Sequence, residues 1–311
     1  MLFRQLRTSR LAMPLAALLA LALVATACGN DDDDGSGESE AKGSLTIGAF
    51  NFTESAVLSE IYAGALREDG YTVTIRPNLG SREVVSPALE RGELDLYIGY
   101  AATDLEHYNN NAGEATPDAR ATADKLRSRL GSRGLTALEP SPAVDQNAFA
   151  VTKATADRLR LRRLSDLAPV AGQLSLGGPP ECPTRPFCAA GLESKYGIRF
   201  REFKAVGLGA VANNALERGD VDVTLVLSTD GGARARGFVL LEDDRQLQNA
   251  DNIIPVMRAP AATDEVRTIL NRVSAALTTE ELAELNRRVD DDKEDADVVA
   301  REWLSENGFG D

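Results

Sequence analysis

Apolar and polar positions in the first hundred residues switch between two periods. Residues 45–49 form a short apolar run and read as a strand. Residues 53–69 place Val57, Leu58, Ile61, Tyr62, Ala65 and Leu66 on one helical face. Asp69-Gly70 ends that helix, residues 71–76 alternate as a strand, and 81–91 read as a second helix. It leads through Gly92 into a strand over 94–98. This β-α-β-α-β order predicts a mostly parallel sheet with helices on its faces. A second series begins near 147–151, with an apolar strand at 174–176, a Gly177-Gly178-Pro179-Pro180 turn and a strand near Phe200, and it closes around 228–232. Residues 252–256 read as one more strand. Two helices follow, over 264–277 and from a capping box made by Thr278 and Glu281.

Two segments of these series nearly repeat each other. Ala88-Leu89-Glu90-Arg91-Gly92-Glu93-Leu94-Asp95-Leu96 matches Ala215-Leu216-Glu217-Arg218-Gly219-Asp220-Val221-Asp222-Val223. Each reads as the end of an amphipathic helix, a Gly stop and the start of an apolar strand. One copy per half predicts two similar α/β lobes, and a cleft between lobes is a common place for a small ligand. Lobe 1 is expected to hold 44–146 plus 253–311 and lobe 2 to hold 147–252, with crossings near 145–149 and 250–255. In parallel sheets ligands sit beyond the carboxyl ends of the strands. That directs attention to Phe50-Asn51-Phe52-Thr53 and to residues 97–103.

The N-terminal stretch has a different character. Arg4, Arg7 and Arg10 precede an apolar run over 11–24 that Pro14 interrupts, and Ala25-Thr26-Ala27 leads into Cys28. This reads as a secretory signal over 1–27. The small residues before Cys28 resemble a bacterial lipobox, which implies lipidation at Cys28 and anchoring at the outer face of the cell membrane. Residues 28–43, with Asp31-Asp32-Asp33-Asp34, have nothing to bury and read as an acidic tether rather than a metal site.

With 34 Lys+Arg against 48 Asp+Glu the chain carries a formal charge of −14, the wrong sign for nucleic acid. Of the three cysteines, Cys28 is assigned to lipid, and Cys182 and Cys188 remain as an even pair able to bridge in an oxidising compartment. His107 is the single histidine and reads as a surface residue; no metal-ligand cluster, nucleophile elbow or phosphate loop accompanies it. No catalytic residue, metal or cofactor is expected, and a monomeric binding protein is favoured over an enzyme.

Gly48-Ala49-Phe50-Asn51-Phe52-Thr53-Glu54-Ser55, Asn78-Leu79-Gly80-Ser81-Arg82-Glu83-Val84 and the Cys182-Pro183-Thr184-Arg185-Pro186-Phe187-Cys188 loop resemble the glycine betaine/carnitine/choline-type substrate-binding proteins of ABC importers, in an actinobacterial lipoprotein branch. Ser228-Thr229-Asp230, Leu241-Glu242-Asp243-Asp244 and Ala250-Asp251-Asn252-Ile253-Ile254-Pro255 extend the likeness. The resemblance implies a two-lobed type II periplasmic-binding fold that hands a quaternary ammonium osmolyte to a permease with a cytoplasmic ATPase. It also implies aromatic walls for the ammonium group, because a cation without hydrogen-bond donors is best held by ring faces. Carried over by position, Phe50 and Tyr100 are expected as walls, Thr103 and Arg185 as partners for a ligand carboxylate, and Asn51, Asp145, Asn147, Ser228 and Asp230 as polar contacts. Phe52 is expected in the core, and Phe149 stands between core and site. Two other readings stay open here: a site for another small zwitterion such as an amino acid, or an exported enzyme on the same scaffold.

Overall fold

The computed structural model describes residues 42–309. The signal segment, Cys28 and the tether up to residue 41 lie outside the described residues.

Hydrophobic periodicity becomes two five-stranded sheets. The first contains β1 (Ser44–Gly48), β2 (Thr72–Arg76), β3 (Leu96–Tyr100) and β4 (Leu135–Ala137), interleaved with α1 (Thr53–Glu68), α2 (Arg82–Glu90), α3 (Ala101–Tyr108) and α4 (Ala119–Gly131). The second is built from β5 (Asn147–Val151), α5 (Lys153–Leu159), β6 (Ser175–Gly178), a short turn of helix α6 (Ala189–Gly191), β7 (Glu202–Ala205), α7 (Ala210–Glu217), β8 (Val223–Leu227), α8 (Gly231–Ala235) and β9 (Val239–Leu241). The chain then returns to the first sheet as β10 (Ile253–Arg258). It finishes with α9 (Asp264–Ala276), α10 (Thr279–Asp290) and α11 (Ala296–Glu306).

Both sheets have the same plan. Their orders are β2-β1-β3-β10-β4 and β7-β6-β8-β5-β9, and in each the fourth strand alone runs antiparallel to its neighbours. That antiparallel strand is the one entering the sheet from the other lobe. The repeated segment occupies corresponding places, α2 into β3 and α7 into β8. Gly92 and Gly219 both take φ of +76°, the left-handed region that a Cβ would disfavour. The N–H of Glu93 bonds the carbonyl of Ala88 at 3.0 Å and that of Asp220 bonds Ala215 at 2.9 Å, so the two helices end in the same way. The repeat also sets up the sheets. The Asp95 carboxylate accepts from the Thr46 N–H and the Asp222 carboxylate from the Ser175 N–H, both at 2.8 Å. Each aspartate thus ties its incoming strand to that strand's parallel neighbour in the sheet, β1 or β6.

The predicted face of α1 is buried along its length, from Val57 to Leu66. The Thr278–Glu281 capping box is formed at the start of α10. Three expectations need correction. β3 begins at Leu96 rather than residue 94, because Asp95 is spent on the clasp to β1. Gly177 and Gly178 end β6 instead of making a turn. A Cβ on Gly177 would stand 2.9 Å from Val206 and 3.1 Å from Val221, so those glycines serve close packing. Tyr97 and Phe149 are both fully buried in their lobes' cores.

The two chain crossings between sheets lie side by side. Val144 pairs with Asn252 as an isolated antiparallel bridge, and the Asp145 N–H bonds the Asp251 carbonyl at 3.1 Å.

Candidate functional site

Four strand ends point at one place. The chain leaves β1 into Phe50-Asn51-Phe52, β3 ends at Tyr100, β6 runs into Pro179 and the cysteine loop, and β8 ends at Leu227. Residues from all four line a cavity of about 730 Å³ between the two sheets. A volume of this order suits a small ligand, at the position open α/β sheets use for binding.

Aromatic rings form part of the lining. The Phe50 and Phe52 rings are stacked, 5.8 Å between centroids with planes 4° apart, and Phe52 lies 6.3 Å from Tyr100. Phe50 also meets the buried Tyr97 edge-on at 5.5 Å. Phe187, inside the disulfide loop, faces the cavity from the second lobe. That loop is closed by the Cys182–Cys188 disulfide, with Cα atoms 5.2 Å apart. It takes the place in lobe 2 that Phe50–Thr53 takes in lobe 1, directly after the strand second in the sheet order, β6 or β1.

Every guanidinium lining the cavity already has a carboxylate. Arg82 forms a buried ion pair with Asp104 and lies 5.3 Å from the Phe50 ring centroid. Asp104 also accepts from the Tyr100 N–H at 2.9 Å and from the Tyr97 hydroxyl at 3.1 Å, so one carboxylate organises the end of β3. Arg185 spans from the cysteine loop to Glu83 on α2, its Nη2 2.9 and 3.0 Å from the two carboxylate oxygens. Further acids remain: Asp145, Asp251, Glu106 and Glu181 line the same cavity.

Behind the aromatic wall lies a buried carboxyl pair. Glu54 accepts from the Tyr100 hydroxyl at 2.8 Å, from Asn286 Nδ2 at 2.7 Å and from the Thr229 hydroxyl. The Thr229 oxygen also contacts Asp145 Oδ1 at 2.9 Å. Burial pushes both carboxyls up, and the nearby Glu54 carboxyl raises that of Asp145 further. Asp251 is pushed up to about 6 by burial, against hydrogen bonds from Thr103. His107 is held below its ordinary range by burial and by Arg82.

Of the residues singled out in the sequence, Phe50, Asn51, Tyr100, Thr103, Asp145, Asn147 and Arg185 line the cavity. Ser228 does not; its Oγ accepts from the Gln146 N–H at 2.9 Å and sits 3.3 Å from Asp145, while its neighbour Leu227 faces the cavity. Asp230 caps α8 and belongs to a separate small void of about 20 Å³. Thr103 gives both its N–H and its hydroxyl to Asp251, so neither donor is free for a ligand carboxylate. The Asn147 amide donates to the Phe187 carbonyl at 3.1 Å and steadies the loop.

Phe52, expected in the core, lines the cavity, as does His107, expected on the surface. Arg82, Asp251 and Phe187 belong to the lining without having been assigned a role, although all lie in the segments that carried the family likeness.

Residues 43–306 match the family described as the substrate binding domain of ABC-type glycine betaine transport systems. The chain belongs to this family. It is 29% identical over 277 residues to a glycine-betaine-binding protein of Pseudomonas aeruginosa, a match covering 85% of this chain and 88% of that protein. A carnitine transport binding protein of Listeria monocytogenes is 28% identical over 280 residues, covering 86% and 88%. Among solved structures, that of a glycine betaine/carnitine/choline ABC transporter superposes with a TM-score of 0.68 at 26% identity, over 86% of this chain and all (100%) of that one. The family is one of binding proteins, not enzymes, and its two-lobed type II periplasmic-binding fold is the one described above.

Proposed function

We propose that this chain is the extracytoplasmic, lipid-anchored binding protein of an ABC importer, and that it captures a quaternary ammonium osmolyte between its lobes. The observation that carries this reading is the aromatic and acidic lining of the 730 Å³ cavity in a chain of this family. Phe52, Tyr100 and Phe187 are the ring faces offered to the methylated nitrogen, with Phe50 backing Phe52. Each face is worth about 0.5–2 kcal/mol toward a desolvated cation. Asp145 presents its carboxyl at the cavity wall, and Asn51 and Asn147 are polar contacts. Lipidation at Cys28 keeps the protein at the outer membrane face, where a permease and its ATPase receive the ligand. The protein works as a monomer, without cofactor or metal.

Arg185 is the expected partner of a ligand carboxylate, but a zwitterion would have to draw it away from Glu83. A cation such as choline makes no such demand. Isothermal titration of the mature protein against choline, glycine betaine and carnitine, with free amino acids as controls, tests the reading. Micromolar binding of a methylated ammonium, weakened about tenfold in Phe52→Ala, is expected. Silence across the methylated set, or preference for an amino acid, would overturn it.

A further inference from the structure

Glu54 and Asp145 are buried acids that share one hydrogen too few. They are 2% and 3% exposed, one in the opening turn of α1 and the other in the first crossing between the sheets. Their oxygens meet at the Thr229 hydroxyl, which touches Glu54 Oε2 and stands 2.9 Å from Asp145 Oδ1. A threonine hydroxyl has a single hydrogen to give. The second contact is therefore completed by a carboxyl proton. Glu54 also accepts from the Tyr100 hydroxyl at 2.8 Å and from Asn286 Nδ2 at 2.7 Å. Beyond Thr229's hydroxyl, Asp145 has only long contacts of 3.3 Å, from the Thr229 N–H and the Ser228 hydroxyl. The better donors make Glu54 the seat of the negative charge and leave the proton on Asp145.

The groups around the pair supply no free cation. Arg82 acts on the cluster through Tyr100, but Asp104 already holds it. Asp251 meets Asp145 along the second crossing, and Asp230 and Asp290 border the small void beside Glu54. A second negative charge here would face only acids and burial, and that keeps the proton in place. On its other side Asp145 lines the ligand cavity, and the Tyr100 hydroxyl ties a ring of that cavity to Glu54.

We propose that this proton is exchanged for the positive charge of the ligand: a cation entering the cavity sends it from Asp145 to solvent, and the pair so favours cations over zwitterions. This rests on the reading of the cavity as a methylated-ammonium site. The ring faces attract the ammonium group but carry no net charge to balance it. The second carboxylate supplies that charge once the ligand's own field has removed the obstacle to ionisation. No bond of the ligand is made or broken. A zwitterion brings its own carboxylate, which cancels much of that field and displaces less of the proton.

Titration calorimetry with choline, repeated in buffers of different ionisation enthalpy, counts the protons released on binding. The parent should release a large fraction of one proton to choline and less to glycine betaine. Its affinity for choline should rise with pH, by up to about tenfold per unit where the exchange is complete. Asp145→Asn and Glu54→Gln should each abolish the release and flatten that pH profile. Asp251→Asn and His107→Gln remove the other titratable groups of the cavity wall that could answer, and both should keep the release. Choline binding by the parent without proton release would overturn the proposal. So would release that survives in Asp145→Asn, or that disappears in Asp251→Asn or His107→Gln, which would put the proton on one of those residues. A parent that does not bind choline, glycine betaine or carnitine would instead remove the ammonium reading, and this proposal with it.

Discussion

Asp251 sits at the junction of cavity and hinge, with its carbonyl accepting from the Asp145 N–H between the crossings and its carboxylate holding Thr103. Its pKa is raised to about 6 by burial, so the folded protein holds its proton more tightly than the unfolded chain does. A raised carboxyl contributes stability on the acid side that is lost as pH climbs through the folded value. Between pH 5 and 7 this one group should cost about 1 kcal/mol of unfolding free energy, from an unfolded value near 3.9. Glu54 and Asp145 act in the same direction. Denaturant titrations of the parent and of Asp251→Asn across that range measure it: the variant should show the shallower loss, and identical slopes would refute the assignment. At this scale the sequence was partly legible. Tyr100 and Phe50 could be placed at the cleft because each follows a parallel strand. Phe52 and Phe187 could not, since an aromatic in a short connecting segment packs inward as readily as it lines a site, and only the stacking on Phe50 and the fold of the cysteine loop decide between the two.

At the scale of elements, the duplicated Glu-Arg-Gly segment was the most telling signal, and both copies form the same helix end, glycine turn and strand clasp. The helices and strands with clear periodicity were readable. The stretch from Ala101 to residue 145 was not, because α3 starts directly at the end of β3 with Tyr100 as its cap and no turn residue between them. The cysteine loop is the element in which pairing matters most. It carries Arg185 and Phe187 and has no regular strand to hold it. Closing so short a loop is worth about 2 kcal/mol in the chain-entropy account. Cys182→Ser/Cys188→Ser should therefore lower the melting temperature by several degrees and weaken ligand binding through the loosened Phe187 wall. Calorimetry with and without the ligand checks both effects. A variant as stable and as tight-binding as the parent would show that the prolines alone shape the loop.

For the whole molecule, two similar lobes with paired crossings account for the cleft and for the acids that surround it. Net negative charge excluded nucleic acid from the start, and a single histidine without companion ligands left little for catalysis to use. The central claim is that the lobes hold a methylated ammonium group against the rings of the first. The crystal structure of the protein with choline or glycine betaine bound tests it most directly. The account predicts the methylated nitrogen between the lobes, within about 6 Å of the Phe52 and Tyr100 ring centroids, with Phe187 closing the far side. A ligand seated away from those rings, or bound outside the cleft, would contradict it.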